Sequence, residues 1–185
     1  MILPKAFRHS ALILLAGFAS LSPAPGAADG FLLDRSSIGY RIHYLDGWTI
    51  KIGSGGDGVD AYFTHSEPEI EILVAVVPAG DSGSEAVSES MLLNISEETR
   101  KVYYDVADFT HEMREFQGVP AGLYEFTGGL SEAPEPLRAL TRQIIARHED
   151  QYFIITILSA QDDLPESRKT WEAFLEKIEF VPDPQ

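Results

Sequence analysis

Two stretches of this chain are apolar on both sides, and they constrain what it can fold into more than anything else. In "EIEILVAVV", residues 69–77, Ile70, Ile72, Val74 and Val76 share one side of an extended chain. Leu73, Ala75 and Val77 follow Glu69 and Glu71 on the other. "QYFIITILSA", residues 151–160, is apolar on both sides for most of its length. Alternate side chains of a strand point to opposite faces of a sheet, so such strands are interior and need cover above and below. Two amphipathic helices can supply that cover. The first follows the capping-box pattern Ser82-Gly-Ser-Glu85 and carries Val87, Met91, Ile95, Thr99 and Val102 at near-helical spacing. The second is capped by Asp163-Leu-Pro-Glu166, with Trp171, Phe174, Leu175 and Ile178 as its apolar stripe.

The other segments read as strands and turns. "IGYRIHYL" alternates Ile38, Tyr40, Ile42 and Tyr44 with polar residues, and Asp46-Gly47 signals a hairpin into "WTIKI". "GSGGDG", residues 53–58, is a loop before "VDAYFTH". "DFTHEMREF" and "GLYEFTG" are extended runs split by "QGVP", and "GGLSEAPEP", residues 128–136, reads as an exposed loop. "LRALTRQIIARH" turns at Glu149-Asp150 into the second two-sided strand. The resulting order is β-β-β-β-α-β-β-β-β-α. Short connections favour antiparallel pairing, so the expectation is an α+β domain: a mostly antiparallel β-sheet flanked by two main helices.

The N-terminus has the layout of a secretory signal peptide. Lys5 and Arg8 precede an apolar run from Ala11 to Ala19, then a Pro- and Ser-containing stretch with Gly26 and Ala28 at the small-residue positions. Cleavage is expected after Ala28, leaving residues 29–185 as one globular domain in the periplasm or secreted. The chain has no cysteine, so an exported fold depends on its core rather than on disulfides. Its net charge is −15, and loss of Lys5 and Arg8 would make it −17. Such a surface repels nucleic acid and anionic headgroups, which need a basic footprint. No segment after the leader is long and apolar enough to span a bilayer.

Several phrases in order resemble the PsbP/DcrB-like superfamily of small α/β/α domains. They are "YRIHYLDGW", the two-sided strand, the helix after "GSEAVS", "FQGVPAGLYEF", the hairpin into "QYFIITILSA", and "DDLPESRKTWEAFLEKIEF". Many members have Pro-x-Gly-Trp where this chain has Leu45-Asp46-Gly47-Trp48. The resemblance implies a PsbP-like α/β/α sandwich and an accessory or binding role without shared catalytic chemistry. On this reading Trp48 is a core peg rather than a ligand platform.

Candidate sites are few. "GDSGS" at residues 80–84 has the sound of a serine-protease phrase, yet it lacks the final Gly and any suitably placed His, so Ser82 reads as a helix cap. His43, His65, His111 and His148 show no ligand spacing. His65 with Glu67, or Asp57 with Asp60, offers at most part of a hard-cation site, and no metal or cofactor is expected. The feature that stands out is arginine on strands of a strongly acidic chain: Arg41, Arg114, Arg138 and Arg142, with Arg147 besides. Sharing a face, Arg41, Arg114, Arg138 and Arg142 would form a binding surface for an anionic group or a partner's acidic segment. The alternative is cross-strand pairing with Glu112, Glu115 or Glu125.

The expected function is therefore a non-enzymatic accessory protein of the cell envelope that contacts another protein. The second reading is a carrier of a small lipid-like ligand in a helix–sheet cavity lined by Val76, Met91 and Ile155. A hydrolase would need Ser, His and an acid in reach of one another, and no motif supplies them.

Overall fold

Strand pairing builds two antiparallel sheets. The computed structural model describes residues 31–44, 47–53, 59–66, 69–79, 86–130, 138–160 and 164–182. The expected signal peptide, the Ser82–Glu85 pattern, Asp57, Glu67 and Asp163 lie outside those residues. The large sheet contains β3 (Trp48–Ile52), β4 (Val59–Ser66), β5 (Glu69–Pro78), β6 (Tyr103–Phe116), β7 (Val119–Leu130), β8 (Arg138–His148) and β9 (Gln151–Ala160). Its order is β3-β4-β5-β9-β8-β7-β6. The two-sided strands β5 and β9 pair with each other at its centre. The small sheet, β1-β2-β10, comprises β1 (Phe31–Arg35), β2 (Tyr40–Tyr44) and β10 (Ile178–Phe180).

The helices α1 (Glu89–Val102) and α2 (Leu164–Leu175) cover opposite faces of the large sheet. On the α1 side, Val87, Met91, Leu92 and Ile95 pack with Ala75, Val77, Tyr124, Phe126, Ile145 and Ile154. Gly122 allows the close approach: a Cβ there would stand 2.6 Å from Leu92 Cδ2. On the other side, Trp171, Phe174 and Leu175 of α2 join the small sheet's Tyr40, Ile42 and Ile178 over Ile72, Val74, Phe153 and Ile155. The expected α+β layering is thus present, with each two-sided strand covered on both faces.

Several local expectations are corrected. β2 and β3 do not form a hairpin across Gly47; β2 pairs with β1 and β10, and β3 with β4. The chain switches sheets there, and the Asp-Gly signal carries no information about which partners the flanking strands find. Helix α1 starts later than the Ser82 pattern implied, with Ser88 as N-cap accepting from the Met91 N–H at 3.4 Å. Gly128 and Gly129 belong to β7, not to a loop: β8 pairs with both, and β6 with Gly129. Ile178 leaves the α2 stripe: the helix ends at Leu175, and Ile178 enters β10 opposite Ile42. β6 runs directly out of α1 and carries bulges where Asp105 and Asp108 adopt positive φ (52° and 53°).

An ion pair ties the two sheets together. Asp60 of β4 accepts from Arg35 of β1 and from the Tyr40 hydroxyl of β2. Burial, more than Asp60's charge, pushes the Tyr40 hydroxyl's pKa well above the usual phenol range. Asp60 is therefore committed to a structural contact rather than to an open cation site. Trp48 is partly buried against the core, its ring 5.7 Å from Phe174 and 6.5 Å from Phe63. It packs as a peg.

Candidate functional site

Where α2 crosses the large sheet, its apolar contact gives way to charge. Register places Glu125 of β7 directly opposite Arg142 of β8, both facing α2. Arg114 lies on the same face of β6, two positions before the core residue Phe116. From above, Arg168 and Glu172 descend from α2 one turn apart, flanking the buried Ser167 and Trp171.

These side chains form an alternating chain of charge. Glu172 gives one carboxylate oxygen to each of two arginines: Oε1 to Arg142 Nη1 at 2.9 Å, and Oε2 to Arg114 Nη1 at 3.6 Å. Arg142 Nε stands 3.5 Å from Glu125 Oε2, and Glu125 also accepts from Arg168 Nε and Nη2, one edge of its guanidinium. The order is Arg114, Glu172, Arg142, Glu125, Arg168, with a formal sum of +1 in a chain of −15. The hydrogen bond to Glu125 raises the Arg168 pKa further. Exposure grades from 15% at Arg142 and 16% at Glu125 to 52% at Arg168, so the middle of the chain is shielded and its ends are wet. Pairs at the wet ends add about 0.2–1 kcal/mol each, while the shielded pair resists removal of either partner more strongly.

The polar groups beneath are not all satisfied. Arg142 Nε, Ser159 Oγ, Ser167 Oγ and Trp171 Nε1 are buried without a hydrogen-bond partner. Leaving a buried donor unpaired costs about 1–3 kcal/mol, so this corner gives up stability for its composition.

Of the arginines expected on one surface, two meet. Arg114 and Arg142 converge on Glu172. Arg41 lies on the small sheet, paired with Asp34 at 3.3 Å. Ser36's hydrogen bonds, aided by Arg41, hold the Asp34 pKa down at about 2. Arg138 pairs its backbone with Gly129, and its side chain is outside the described residues. Arg147 faces the α1 side and donates through Nε to the Glu149 carbonyl at 3.2 Å. Arg168 and Glu172 were missed. Their i, i+4 spacing beside the buried stripe of α2 was the available signal.

Elsewhere, Ser37, Gly39, His148, Gln151 and Phe153 border a cavity of about 80 Å³, room for a few waters. Val76 and Ile155 pack on the α2 side of the sheet and Met91 on the α1 side, so those three cannot line one void. Among the described residues, no three His, Asp or Glu side chains gather as a metal site would require, and no helix is long and apolar enough to cross a membrane.

Comparison with solved structures identifies the architecture. The solution structure of the cyanobacterial PsbP protein CyanoP from Synechocystis sp. PCC 6803 aligns at TM-score 0.56 and 12% identity, over 88% of this chain and 98% of that one. The chain has a PsbP-like fold. The Ran-binding protein Mog1p of Saccharomyces cerevisiae aligns at TM-score 0.55 and 9% identity, over 84% and 97% of the two chains. PA94 from Pseudomonas aeruginosa, a protein of unknown function described as a putative regulator, aligns at TM-score 0.51 and 17% identity, over 78% and 92%. At these identities the likeness is one of fold alone. No protein-family model matches the sequence, and no curated protein does.

Proposed function

We propose that this chain is an exported, non-enzymatic accessory protein, trimmed after Ala28 to a single domain, that works in the cell envelope by holding another protein. The observation that carries this reading is the open edge of β6. Among the described residues, strand β6 bonds to β7 alone, and beyond its two bulges the pairing is regular from Thr110 to Phe116. That stretch offers Met113, 42% exposed, toward the α1 side, where Leu93 is 51% exposed. Toward the α2 side it offers Arg114. An edge with free backbone groups and an apolar side chain suits strand addition by an extended segment. Glu112 and Glu115 on the same edge, in a chain of −15, favour a segment carrying Lys or Arg. A fold shared with a Ran-binding protein is in keeping with this role.

The test is affinity capture of the full chain from its native envelope, with mass spectrometry of both proteins and lipids. The reading requires a protein partner whose recovery falls at least about tenfold with Met113→Lys, a charge that repels a basic strand. Recovery of lipid without protein would favour the carrier reading instead, and recovery of neither would refute both.

A further inference from the structure

A cavity of about 80 Å³ lies where the β8–β9 turn meets the start of β2, bordered by Gly39, His148, Gln151 and Phe153, with Glu149 and Asp150 of the turn. Its walls are held close together. His148 and Gln151 face each other as the last pair of the β8–β9 ladder. Such a pair sets its Cβ atoms about 4.5–5.5 Å apart on one face of the sheet. A Cβ at Gly39 would stand 3.1 Å from Phe153 Cζ and 3.8 Å from Gln151 Oε1, so a side chain there would crowd this space, and its φ of +89° also favours glycine. The His148 ring stacks on Phe180 at 5.0 Å, and Phe180 lies 4.6 Å from Phe153, which holds the imidazole in place.

Two polar atoms of this wall are unspent. His148 Nε2 and Gln151 Oε1 are both buried, and neither has a hydrogen-bond partner. Glu149 Oε1 stands 4.0 Å from His148 Nε2, beyond hydrogen-bond reach. The Gly39 backbone is already committed, its N–H to the Ser36 carbonyl and its carbonyl to the Val181 N–H. An amide oxygen only accepts, and an imidazole nitrogen accepts whenever the other ring nitrogen carries the proton. Both atoms can therefore be satisfied by one donor. Charge says which kind. Glu149, 46% exposed, and Asp150, fully exposed, put two carboxylates at the mouth in a chain of −15. Arg147 comes no nearer to Asp150 than 3.9 Å, from the α1 side. Such a field draws cations and repels anions.

We propose that this cavity binds a primary ammonium group, carried by a lysine side chain or by a free amine. Its three N–H bonds go to Gln151 Oε1, to His148 Nε2 and to the Glu149 carboxylate, whose oxygens can each accept more than one bond. A compact ammonium suits acceptors gathered around a point, whereas the planar fork of a guanidinium suits a paired carboxylate. The cavity lies at the β8–β9 turn, apart from the backbone edge of β6, and the proposal stands independently of the partner contact there.

The test is nuclear magnetic resonance of the full chain with ¹³C-labelled histidine. The chain has five histidines, and a His148→Phe sample identifies the ring signal of His148. The chlorides of methylammonium, methylguanidinium, tetramethylammonium and sodium are titrated at constant pH and ionic strength. A parallel arm uses a Lys-containing peptide with an acetylated N-terminus. Methylammonium is expected to move the His148 signal saturably, while sodium and tetramethylammonium, which carry charge without an N–H, do not. Gln151→Leu removes an acceptor and should weaken binding by at least about tenfold, as loss of a hydrogen bond to a charged group does. Glu149→Gln should weaken it by about twofold to fivefold. If the peptide binds and methylammonium does not, the ammonium belongs to a partner's lysine; if methylammonium binds, a free amine suffices. The proposal fails if neither probe gives a saturable shift, if tetramethylammonium or sodium gives the same shift, or if Gln151→Leu binds as the native chain does. Methylguanidinium binding as tightly as methylammonium overturns the preference for an ammonium. Glu149 lies at the surface, so undiminished binding by Glu149→Gln counts against the proposal even if Gln151→Leu does not fold.

Discussion

The two faces of the large sheet are built from alternate residues of the same strands, and they treat buried polar groups differently. On the α1 side, the Tyr124 hydroxyl donates to Gln143, and Gln143 donates onward to Thr156 at 2.5 Å, one chain across β7, β8 and β9. Around it, Phe109 stacks with Tyr124 and Phe126 at centroid distances of 5.7 and 5.9 Å. On the α2 side, half the contact is an aromatic core about Phe63, Phe174 and Trp171, and the other half is the arginine–glutamate chain with its unpaired donors. A satisfied polar network fixes a core; a half-satisfied one loses stability and persists where something else uses it. The contrast puts a satisfied polar network on one face and unpaired buried donors on the other.

The largest effect that can sharpen this contrast is at Trp171. Replacing it with Ala opens the α2 core and should cost about 3–5 kcal/mol in urea unfolding. Trp171→Phe keeps an aromatic ring but removes the unpaired N–H, so it should cost clearly less. Equal losses from the two variants would mean that the indole N–H contributes a bond of its own, and the contrast between the faces would weaken.

Next in size is an effect of alkali. Burial pushes Tyr103 up to about 12, and Tyr124 and Tyr40 higher still, against an ordinary value of 10.0. The unfolded chain loses these protons first. The stability they represent is therefore complete below pH 10 and is lost as pH rises through 12, with Tyr103 alone accounting for about 2–3 kcal/mol. Absorbance titration at 295 nm should find these three of the seven tyrosines silent until the fold opens. Smooth ionisation of all seven near pH 10, with the far-ultraviolet signal intact, would show that the aromatic faces are wet.

Gly122→Val tests the α1 face more gently. The new side chain meets Leu92, and overpacking of this kind costs about 1–3 kcal/mol. Leu92→Ala in the same chain makes room, so the double variant should lose less than the sum of the singles.

How much of this could be read from the sequence differs between the same two faces. The alternation in residues 69–77 placed each β5 side chain on its correct side, because a strand's period is fixed by the backbone. The buried faces of the helices were readable from their own period, but not their ends: α1 begins at Glu89 and α2 stops at Leu175, short of Ile178. Pairing partners were not. Asp46-Gly47 is a local signal, while the choice of β1 and β10 as partners for β2 rests on contacts with residues as distant as Phe180. β10 itself is three residues long and too short to show a period. Arg114 and Arg142 could be singled out as charges on strands, but their meeting place is set by Glu172, which comes from another element. Arg168 and Glu172 looked like an ordinary solvent-facing turn of a helix until the register of β7 and β8 put Glu125 and Arg142 beneath them.

The smallest expected effect lies at the wet end of that charge chain. Arg168 is 52% exposed, and its Ala variant should lose less than about 1 kcal/mol, a loss that 1 M salt largely erases. Arg142→Met removes a guanidinium that is 15% exposed and leaves Glu125 and Glu172 facing each other across an apolar side chain. Its loss should exceed that of Arg168→Ala and survive salt, because Glu125 and Glu172 then keep only their more exposed partners, Arg168 and Arg114, and the ionic atmosphere screens a shielded carboxylate little. A double-mutant cycle with Glu125→Gln separates the two: strong coupling to Arg142 and weak coupling to Arg168 follow from the gradient of exposure along the chain. Equal couplings would mean that solvent reaches the whole α2 corner, and the unpaired donors beneath it would then be hydrated.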